Sequence, residues 1–248
     1  MIQLKNPQQI KEMREAGRIT GEALLVAREH IREGISTYEL DTIIRNYIEK
    51  QGAKPSFLGY GGFPGSACIS VNDEVIHGIP SKKKILCEGD IVKVDVGAFY
   101  KGFHGDAARS FSVGYISPEK KKLIEVTKEC FFEGIKGICV GSALGDIGAQ
   151  VEEHAVKNGY SVVKAMVGHG IGKKLHEDPA VPNYGKYNTG VVLMEGMTLA
   201  IEPMSTLGKK EVYLEDNDWT VSTVDGLVSA HYENTVIITK DGVEILTL

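Results

Sequence analysis

The residues of this sequence with the clearest capacity for chemistry are four acids that occur as two pairs. Asp95 ends a β-rich run, and Asp106 follows 11 positions later. Glu202 ends a similar run, and Glu233 follows 31 positions later. Because side chains alternate along a strand, an odd separation allows a hairpin that puts both members of a pair directly opposite each other on one face. We therefore expect opposed carboxylates in two hairpins, the first of which turns at residues 101–102.

Close pairing of carboxylates predicts a cation between them. Side chains opposite each other in a hairpin have Cβ atoms roughly 5 Å apart. Carboxylates at that distance repel, so either one of them holds a proton or a cation lies between them. A single acid is more often an exposed strand residue, but four acids converging on a core face would be very costly without a metal. Carboxylates beside neutral imidazole suit Mn, Fe, Co or Zn better than Ca.

A glycine-rich histidine segment between Met166 and Tyr184 carries the second signal. Three glycines surround His169, and they let the backbone pass close to a ligand. Neutral imidazole is a common ligand for such metals, so His169 is a candidate ligand. His176, seven positions later, and His77 suit a different role. The remaining histidines are expected to be structural, although two of them flank acids: His30, His104, His154 and His231.

Helix signals surround both acid pairs. Apolar residues at helical spacing, capping residues and terminal glycines mark four helices. They are predicted from Pro7 to His30, from Ser36 to Gly52 with a capping box of Ser36 and Glu39, from Pro118 after a Ser117 cap, and from Gly141 to Gly159.

The order of these signals repeats along the chain. One offset of 107 positions relates Gly34 to Gly141 and also relates Asp95 to Glu202. A duplication explains two matches at one offset better than chance does. We therefore expect a single catalytic domain, residues 1–248, made of two related halves of approximately 1–115 and 116–248.

Composition excludes several classes of protein. The formal net charge of −5 and the lack of a long basic run give nucleic-acid binding no electrostatic support. No apolar run reaches the length of a membrane span, and the first residues lack the apolar stretch of a signal peptide, so a cytoplasmic location is expected. The cysteines form no Cys-x-x-Cys pair and are expected to be reduced and mostly buried: Cys68, Cys87, Cys130 and Cys139.

The histidine segment also carries a family resemblance. Gly168-His169-Gly170, then His176, then Val181-Pro182-Asn183-Tyr184 follow the spacing of one family's motif from Met166 onward. The sequence resembles the type I methionine aminopeptidases of the bacterial short form, in subfamily A of peptidase family M24, over essentially the whole chain. That resemblance implies an α/β (α+β) fold of the pseudo-twofold "pita-bread" creatinase/aminopeptidase type, in which helices cover a curved antiparallel sheet.

The resemblance also implies a site with two divalent metal ions, of Co, Mn, Fe or Zn. Asp95 would chelate one ion, His169 and Glu202 would bind the other, and Asp106 and Glu233 would bridge them. Glu202 would exchange a proton with the attacking water and the leaving nitrogen. His77 and His176 would contact the substrate, and a pocket would hold the methionine side chain between Tyr60, Phe63, Cys68, Leu175 and Trp219.

The implied activity is that of a methionyl aminopeptidase. It would remove the N-terminal methionine from nascent proteins and peptides, preferably when the second residue is small. Transient contact with a ribosome and a monomeric state are expected.

The sequence departs from the family pattern at Asn234, where many relatives have His, and at Gly97, where some have Thr. Phe57 and Leu175 occupy variable pocket positions. None of these departures removes a ligand.

Two alternatives use the same scaffold. The first is an X-Pro aminopeptidase or prolidase, but such chains carry an additional N-terminal domain, for which 248 residues leave no room. The second is a non-enzymatic binding protein, but such relatives lose metal ligands and this sequence keeps all five. A metal-free, creatinase-like hydrolase is disfavoured for the same reason, and an unrelated α/β protein with scattered acids receives little weight.

Overall fold

The structure, a computed structural model, describes residues 1–248 as four α-helices and fifteen mostly short strands. The helices are α1 (Pro7–His30), α2 (Thr37–Lys50), α3 (Pro118–Ile135) and α4 (Leu144–Lys157). The strands are β1 (Lys54–Pro55), β2 (Ala67–Val71), β3 (Glu74–Ile76), β4 (Ile91–Tyr100), β5 (Phe103–Ser112), β6 (Ser161–Val162), β7 (Gly168–Gly170), β8 (Glu177–Val181), β9 (Thr198–Ile201), β10 (Met204–Thr206), β11 (Val212–Leu214), β12 (Val221–Thr223), β13 (Ser229–His231), β14 (Asn234–Thr239) and β15 (Gly242–Ile245).

The helix termini follow the local signals in the sequence. Asn6 and Gln9 form a reciprocal capping box at the start of α1, which runs over the predicted residues. Ser36 caps α2 by accepting a hydrogen bond from the Glu39 backbone N–H, but the return bond is absent because the Glu39 carboxylate lies 3.7 Å from the Arg32 guanidinium. The capping box predicted there is therefore only half formed.

Helices α1 and α2 cover one face of the sheet that contains β4. The largest apolar cluster joins residues of both helices, among them Ile19 and Ile44, to Val92, Val94 and Val96 of β4. Alternation along the strand turns Asp95 to the other face, as the sequence predicts. The aliphatic layer thus holds one side of the strand in place and leaves its other side for the acids.

The first acid pair lies in the hairpin β4–β5. Its turn consists of Lys101 and Gly102, both with positive φ (45° and 89°), as a two-residue hairpin turn requires. That turn pairs Gly97 with Asp106 and Asp95 with Ala108. The prediction that Asp95 and Asp106 lie directly opposite each other is therefore wrong. They share a face but are offset diagonally, because a turn centred on residues 101 and 102 cannot pair positions 95 and 106.

The second acid pair lies at a break between two ladders. Ile201 pairs with Asn234 on one side, and Met204 pairs with His231 on the other. The Tyr232 N–H donates to the Pro203 carbonyl at 3.1 Å within the gap. This register leaves Glu202 and Glu233 directly opposite each other, as predicted from their odd separation.

The two hairpins meet edge to edge. The backbones of Ala108 and Glu233 exchange two N–H···O bonds of 3.4 and 3.0 Å. The Thr235 hydroxyl donates to the Asp106 carbonyl oxygen at 2.8 Å and accepts from the Asp106 N–H at 2.9 Å. These contacts join the β4–β5 sheet to β14, so acids that are far apart in the chain become neighbours. The origin of the two halves by duplication stays a prediction.

Two further predictions concern the burial of the cysteines and the absence of membrane-spanning helices. All four cysteines are free, but only Cys68 and Cys130 are buried, whereas Cys87 and Cys139 are exposed. The prediction of mostly buried cysteines is therefore wrong for half of them. None of the four helices combines the length with the apolar character that a membrane crossing requires.

The close approach of α1 to the C-terminal segment predicts an unusual glycine effect. A Cβ at Gly17 would overlap the Leu246 carbonyl, which belongs to the backbone and cannot rotate away. Gly17→Ala should therefore destabilise the protein by about 1–3 kcal/mol, although alanine normally favours a helix interior by about 1 kcal/mol. Thermal unfolding checks this, with Lys11→Ala on the exposed side of α1 as the control. A higher melting temperature for Gly17→Ala than for the parent would contradict the packing.

Candidate metal centre

All twelve residues predicted for the site line one cavity of about 110 Å³. The thirteenth lining residue is Phe57, which the sequence places at a variable pocket position. Five of the lining residues are the candidate metal ligands: Asp95, Asp106, His169, Glu202 and Glu233. The cavity therefore has an acidic end and an apolar end.

The spacing of donor atoms at the acidic end suits a cation. Asp106, His169 and Glu233 each offer one donor atom, and these atoms lie within 4.8 Å of one another. His169 Nε2 is 3.8 Å from a carboxylate oxygen of Asp106 and 3.8 Å from one of Glu202. These separations are too long for hydrogen bonds. Two donors bound to one ion at about 2.0–2.2 Å each are at most about 4.4 Å apart, so the spacing fits donors around a metal.

Glycines and a backbone carbonyl set the orientation of His169. A Cβ at Gly168 would overlap the Ala200 carbonyl, and one at Gly170 would overlap the Asp178 carbonyl. The strand that carries His169 therefore needs glycine on both sides to pack between its neighbours. His169 Nδ1 lies 2.9 Å from the Gly170 carbonyl, so Nδ1–H donates to it and Nε2 presents a lone pair towards the acids. Burial lowers the pKa of His169 to about 3, which keeps the ring neutral.

The four acids lack a permanent positive partner, although Asp106, Glu202 and Glu233 are buried and Asp95 is half-buried. None of them forms an ion pair with a lysine or arginine. Asp95 Oδ1 and Asp106 Oδ1 have no hydrogen-bond partner. Burial raises the pKa of Asp106 to about 7, although hydrogen bonds from Asp95 and from the Ala107 backbone oppose the rise. Burial also raises the pKa values of Asp95, Glu202 and Glu233 well above the ordinary range, and repulsion from neighbouring carboxylates adds to the rise for these three. Protons or cations must therefore neutralise the cluster, and the carboxylate–imidazole donor set fits divalent metals.

Arg109, half-buried behind Glu233, is a residue of the site that the sequence did not predict. Arg109 donates to the backbone carbonyl of Glu233, to Asn234 Oδ1 at 2.6 Å and to the Thr247 carbonyl at 3.2 Å. Its guanidinium also lies 4.2 Å from the centre of the Tyr232 ring. Asn234, one of the departures from the family pattern, thus has a defined role, because it helps hold the guanidinium that fixes the Glu233 backbone. The one feature of the sequence that could have indicated a role for Arg109 is its position close to Asp106 in the same strand.

The two histidines predicted to contact the substrate both line the cavity, in different surroundings. His176 is exposed, its Nδ1 lies 2.7 Å from the Tyr60 hydroxyl, and its ring centre is 4.2 Å from that of His169. His77 has a left-handed backbone with φ of 58°, and burial lowers its pKa to about 4. Partial burial of the His176 ring beside Tyr60 and His169 lowers its pKa as well, so both rings are neutral at pH 7.

Two histidines that flank acids in the sequence differ in the structure. His104 Nδ1 contacts Ser56 Oγ at 2.8 Å and none of the four acids. His231 is buried, and its Nε2 lies 3.9 Å from both Glu202 and Glu233. A contact with the acid cluster, which the sequence leaves open for both, exists for His231 alone.

The apolar end of the cavity contains aromatic rings and a thiol. Phe63 and Trp219 make an edge-to-face contact with ring centres 5.1 Å apart. Cys68 lies opposite Asp95 in the ladder of β2 and β4, which puts the thiol beside the acids. A Cβ at Gly97 would lie 2.8 Å from the Phe57 ring. The glycine therefore makes room for both Ser56 and the Phe57 ring.

Comparison with known proteins identifies the family. The sequence profile of metallopeptidase family M24 matches residues 11–240. The chain belongs to metallopeptidase family M24. A methionine aminopeptidase of Clostridium acetobutylicum is 53% identical over 248 residues, which cover 100% of this chain and 99% of the relative. Methionine aminopeptidase 1 of Bacillus subtilis is 47% identical over 247 residues, which cover 100% of this chain and 99% of the relative.

Solved structures support the same assignment within the M24 family. The crystal structure of a Thermotoga maritima methionine aminopeptidase superimposes with a TM-score of 0.98 at 46% identity, covering 100% of this chain and 99% of that one. The predicted pita-bread α/β fold is thereby confirmed. A prolidase from Pyrococcus furiosus has a TM-score of 0.81 at 25% identity, and the match covers only 65% of the prolidase. The full-length relatives thus group this M24 member with metal-dependent methionine aminopeptidases and leave the prolidase alternative with less support.

The raised pKa values at the acidic end predict proton release on metal binding. At pH 7 the metal-free carboxyls retain protons, and Mn²⁺ or Co²⁺ must displace them. The apparent affinity should therefore increase as pH rises through 7, with at least about one proton released per chain. Calorimetric titration at pH 7 in two buffers of different ionisation enthalpy measures that number. Asp106→Asn should release fewer protons, whereas Glu195→Gln at the surface should match the parent. Binding without proton release would contradict the assigned electrostatics.

Proposed function

We propose that this M24 metallopeptidase uses two divalent metal ions to remove the N-terminal methionine from peptides and nascent proteins, preferably when the second residue is small. One observation carries the proposal: five donors converge at one end of a cavity whose other end is apolar. The names of the full-length relatives support methionine as the residue removed.

The five donors divide between two ions. Asp95 would hold one ion, His169 and Glu202 would hold the other, and Asp106 and Glu233 would be shared by both. The unpartnered oxygens of Asp95 and Asp106 support cation binding here, since each needs a cation or proton to offset burial. When bound, divalent ions supply Lewis acidity that polarises a peptide carbonyl and lowers the pKa of water. Co, Mn, Fe and Zn all suit this donor set.

Glu202 carries the proton between the water and the leaving nitrogen. Its carboxylate lines the cavity, and its own backbone carbonyl accepts a hydrogen bond of 2.9 Å from the Asn183 side chain. That bond holds the residue at the break between β9 and β10. The carboxylate accepts a proton as water attacks the carbonyl and returns it to the amine as the C–N bond breaks.

The two cavity histidines orient the scissile peptide. His176 donates from Nε2 to the carbonyl oxygen as negative charge develops there, while its Nδ1 accepts from the Tyr60 hydroxyl. This role requires the tautomer with the proton on Nε2, in which Nδ1 accepts from the Tyr60 hydroxyl. His77 contacts the amide beyond the scissile bond. Its place in the same cavity as the His169–His176 pair allows both contacts with one extended substrate.

The apolar end selects the methionine side chain. An unbranched thioether fits a narrow cavity, and its sulfur gains from contact with aromatic rings. Phe63 and Trp219 supply those rings, and Leu175, which is 2% exposed, helps to close the cavity. A bulky second residue would crowd the acids, so glycine or alanine is preferred there. A monomeric state, transient ribosome contact and a cytoplasmic location stay predictions.

Replacing the proposed proton carrier should separate catalysis from folding. Glu202→Gln keeps the size of the side chain but removes its basicity, so hydrolysis of Met-Gly-Met should fall by at least about 100-fold. Methionine release measures turnover, circular dichroism checks the fold, and Glu195→Gln is the control with an exposed carboxylate. Undiminished turnover in Glu202→Gln would refute the role.

Metal removal and substrate choice test the reaction class together. Chelation should abolish the release of methionine from Met-Ala-Ser, and Mn²⁺ or Co²⁺ should restore it, because the site's donors need a divalent ion. The reconstituted enzyme should leave Ala-Pro and other X-Pro dipeptides uncut. Preferential cleavage of X-Pro bonds would favour the prolidase alternative. Metal binding without cleavage of either substrate would favour the non-enzymatic one.

A further inference from the structure

A second depression, here called the apolar trough, adjoins the metal-centre cavity. Seven of its nine lining residues are hydrophobic. His77 and Trp219 line both the cavity and the trough, so the two are continuous. The side chains that define the trough are Met166, Val212, Leu214, Trp219 and Val221.

A small sheet forms the floor of the apolar trough and leads from it towards the metal-centre cavity. Its strand order is β11, β12, β3, and β3 ends at Ile76, directly before His77. The ladder pairs Leu214 with Val221, and Val221 with Ile76. Paired residues lie on one face of a sheet, so an apolar row runs across the strands towards His77.

Two adjacent apolar side chains of the trough are exposed to solvent. Leu214 is 56% exposed, and the neighbouring Tyr213 is 50% exposed. Contiguous exposed apolar surface of this kind marks a binding site more often than a free surface. Asp218 is the one lining residue with a formal charge at pH 7, since burial keeps His77 neutral. The chemistry therefore favours an apolar occupant over a charged one.

We propose that the apolar trough binds the third to fifth residues of the peptide substrate and favours apolar side chains there. This inference rests on the proposed function, which directs the amide beyond the scissile bond to His77. A chain that continues past His77 in an extended form advances about 3.3 Å per residue. Three residues then cover about 10 Å of the adjoining surface. Because the trough shares His77 and Trp219 with the metal-centre cavity, we assign it to the substrate rather than to another protein.

Two equally long peptides test the proposal. Met-Ala-Leu-Phe-Leu-Lys-amide and Met-Ala-Ser-Asn-Ser-Lys-amide share the scissile bond and differ only at positions three to five. The parent enzyme should show a kcat/KM about tenfold higher for the apolar peptide, mainly through KM, because burying apolar side chains is worth that much or more. Leu214→Ser should reduce the ratio to about threefold or less. Because each ratio compares kcat/KM for two peptides on the same enzyme preparation, a change in the active fraction of a variant does not affect it.

Leu227→Ser is the matched control. Leu227 has the same side chain and a similar exposure of 46%, but it lies outside the apolar trough. It should keep the parent ratio. Equal kcat/KM for the two peptides in the parent, or equal loss of the ratio in both variants, would overturn the proposal. Failure to release methionine from either peptide would instead count against the proposed function.

Sedimentation velocity distinguishes the remaining occupant, a second copy of the chain. The parent and Leu214→Ser should sediment alike at micromolar concentration. A parent dimer that Leu214→Ser dissociates would assign the trough to an interface between copies and overturn the proposal.

Discussion

The structure depends on one electrostatic constraint: four carboxylates share one cavity with no lysine or arginine paired to any of them. Burial raises the pKa values of all four, and repulsion between carboxylates adds to the effect for Asp95, Glu202 and Glu233. Such a cluster persists in a folded protein only if protons or cations offset the charge. The neutral imidazole of His169 completes a donor set that suits divalent metals. The same charge that makes the cluster costly without a metal therefore makes it a strong site with one.

Hydrogen bonds to the backbone hold these acids close together. Two hairpins that are more than 100 residues apart in the chain meet through the paired backbones of Ala108 and Glu233, and the Thr235 hydroxyl fixes the backbone of Asp106. Arg109 anchors Glu233 from behind through its carbonyl rather than its carboxylate, which leaves the acid free to face the cavity. Strands thus carry Asp95, Asp106 and His169, and backbone pairing at the break between two ladders positions Glu202 and Glu233. This arrangement preorganises the site for metal binding.

The departures from the family pattern act locally. Gly97 lacks a side chain where Ser56 and the Phe57 ring approach. Asn234 Oδ1 accepts hydrogen bonds from Arg109 and from the Thr247 hydroxyl, whereas its buried Nδ2 has no partner. The apolar trough leads outward from the metal centre, since the sheet that ends at His77 pairs Ile76 with Val221, both buried, and Val221 with Leu214, which is exposed.

The sequence by itself determined the chemical identity of the site and most local structure. Acid and histidine types, glycine spacing and capping residues are local features, and they predicted α1 from Pro7 to His30 and the acids and histidines of the cavity. The residues at the apolar end of the cavity were predicted from the family resemblance and not from local features. Tertiary structure alone decided the diagonal offset of Asp95 and Asp106, because the two-residue turn sets the register and an odd separation does not. It also decided the involvement of Arg109 and His231, whose partners lie across the joint between two sheets. Contacts between segments so far apart in the chain leave no periodic signal in either segment, so only the folded chain reveals them.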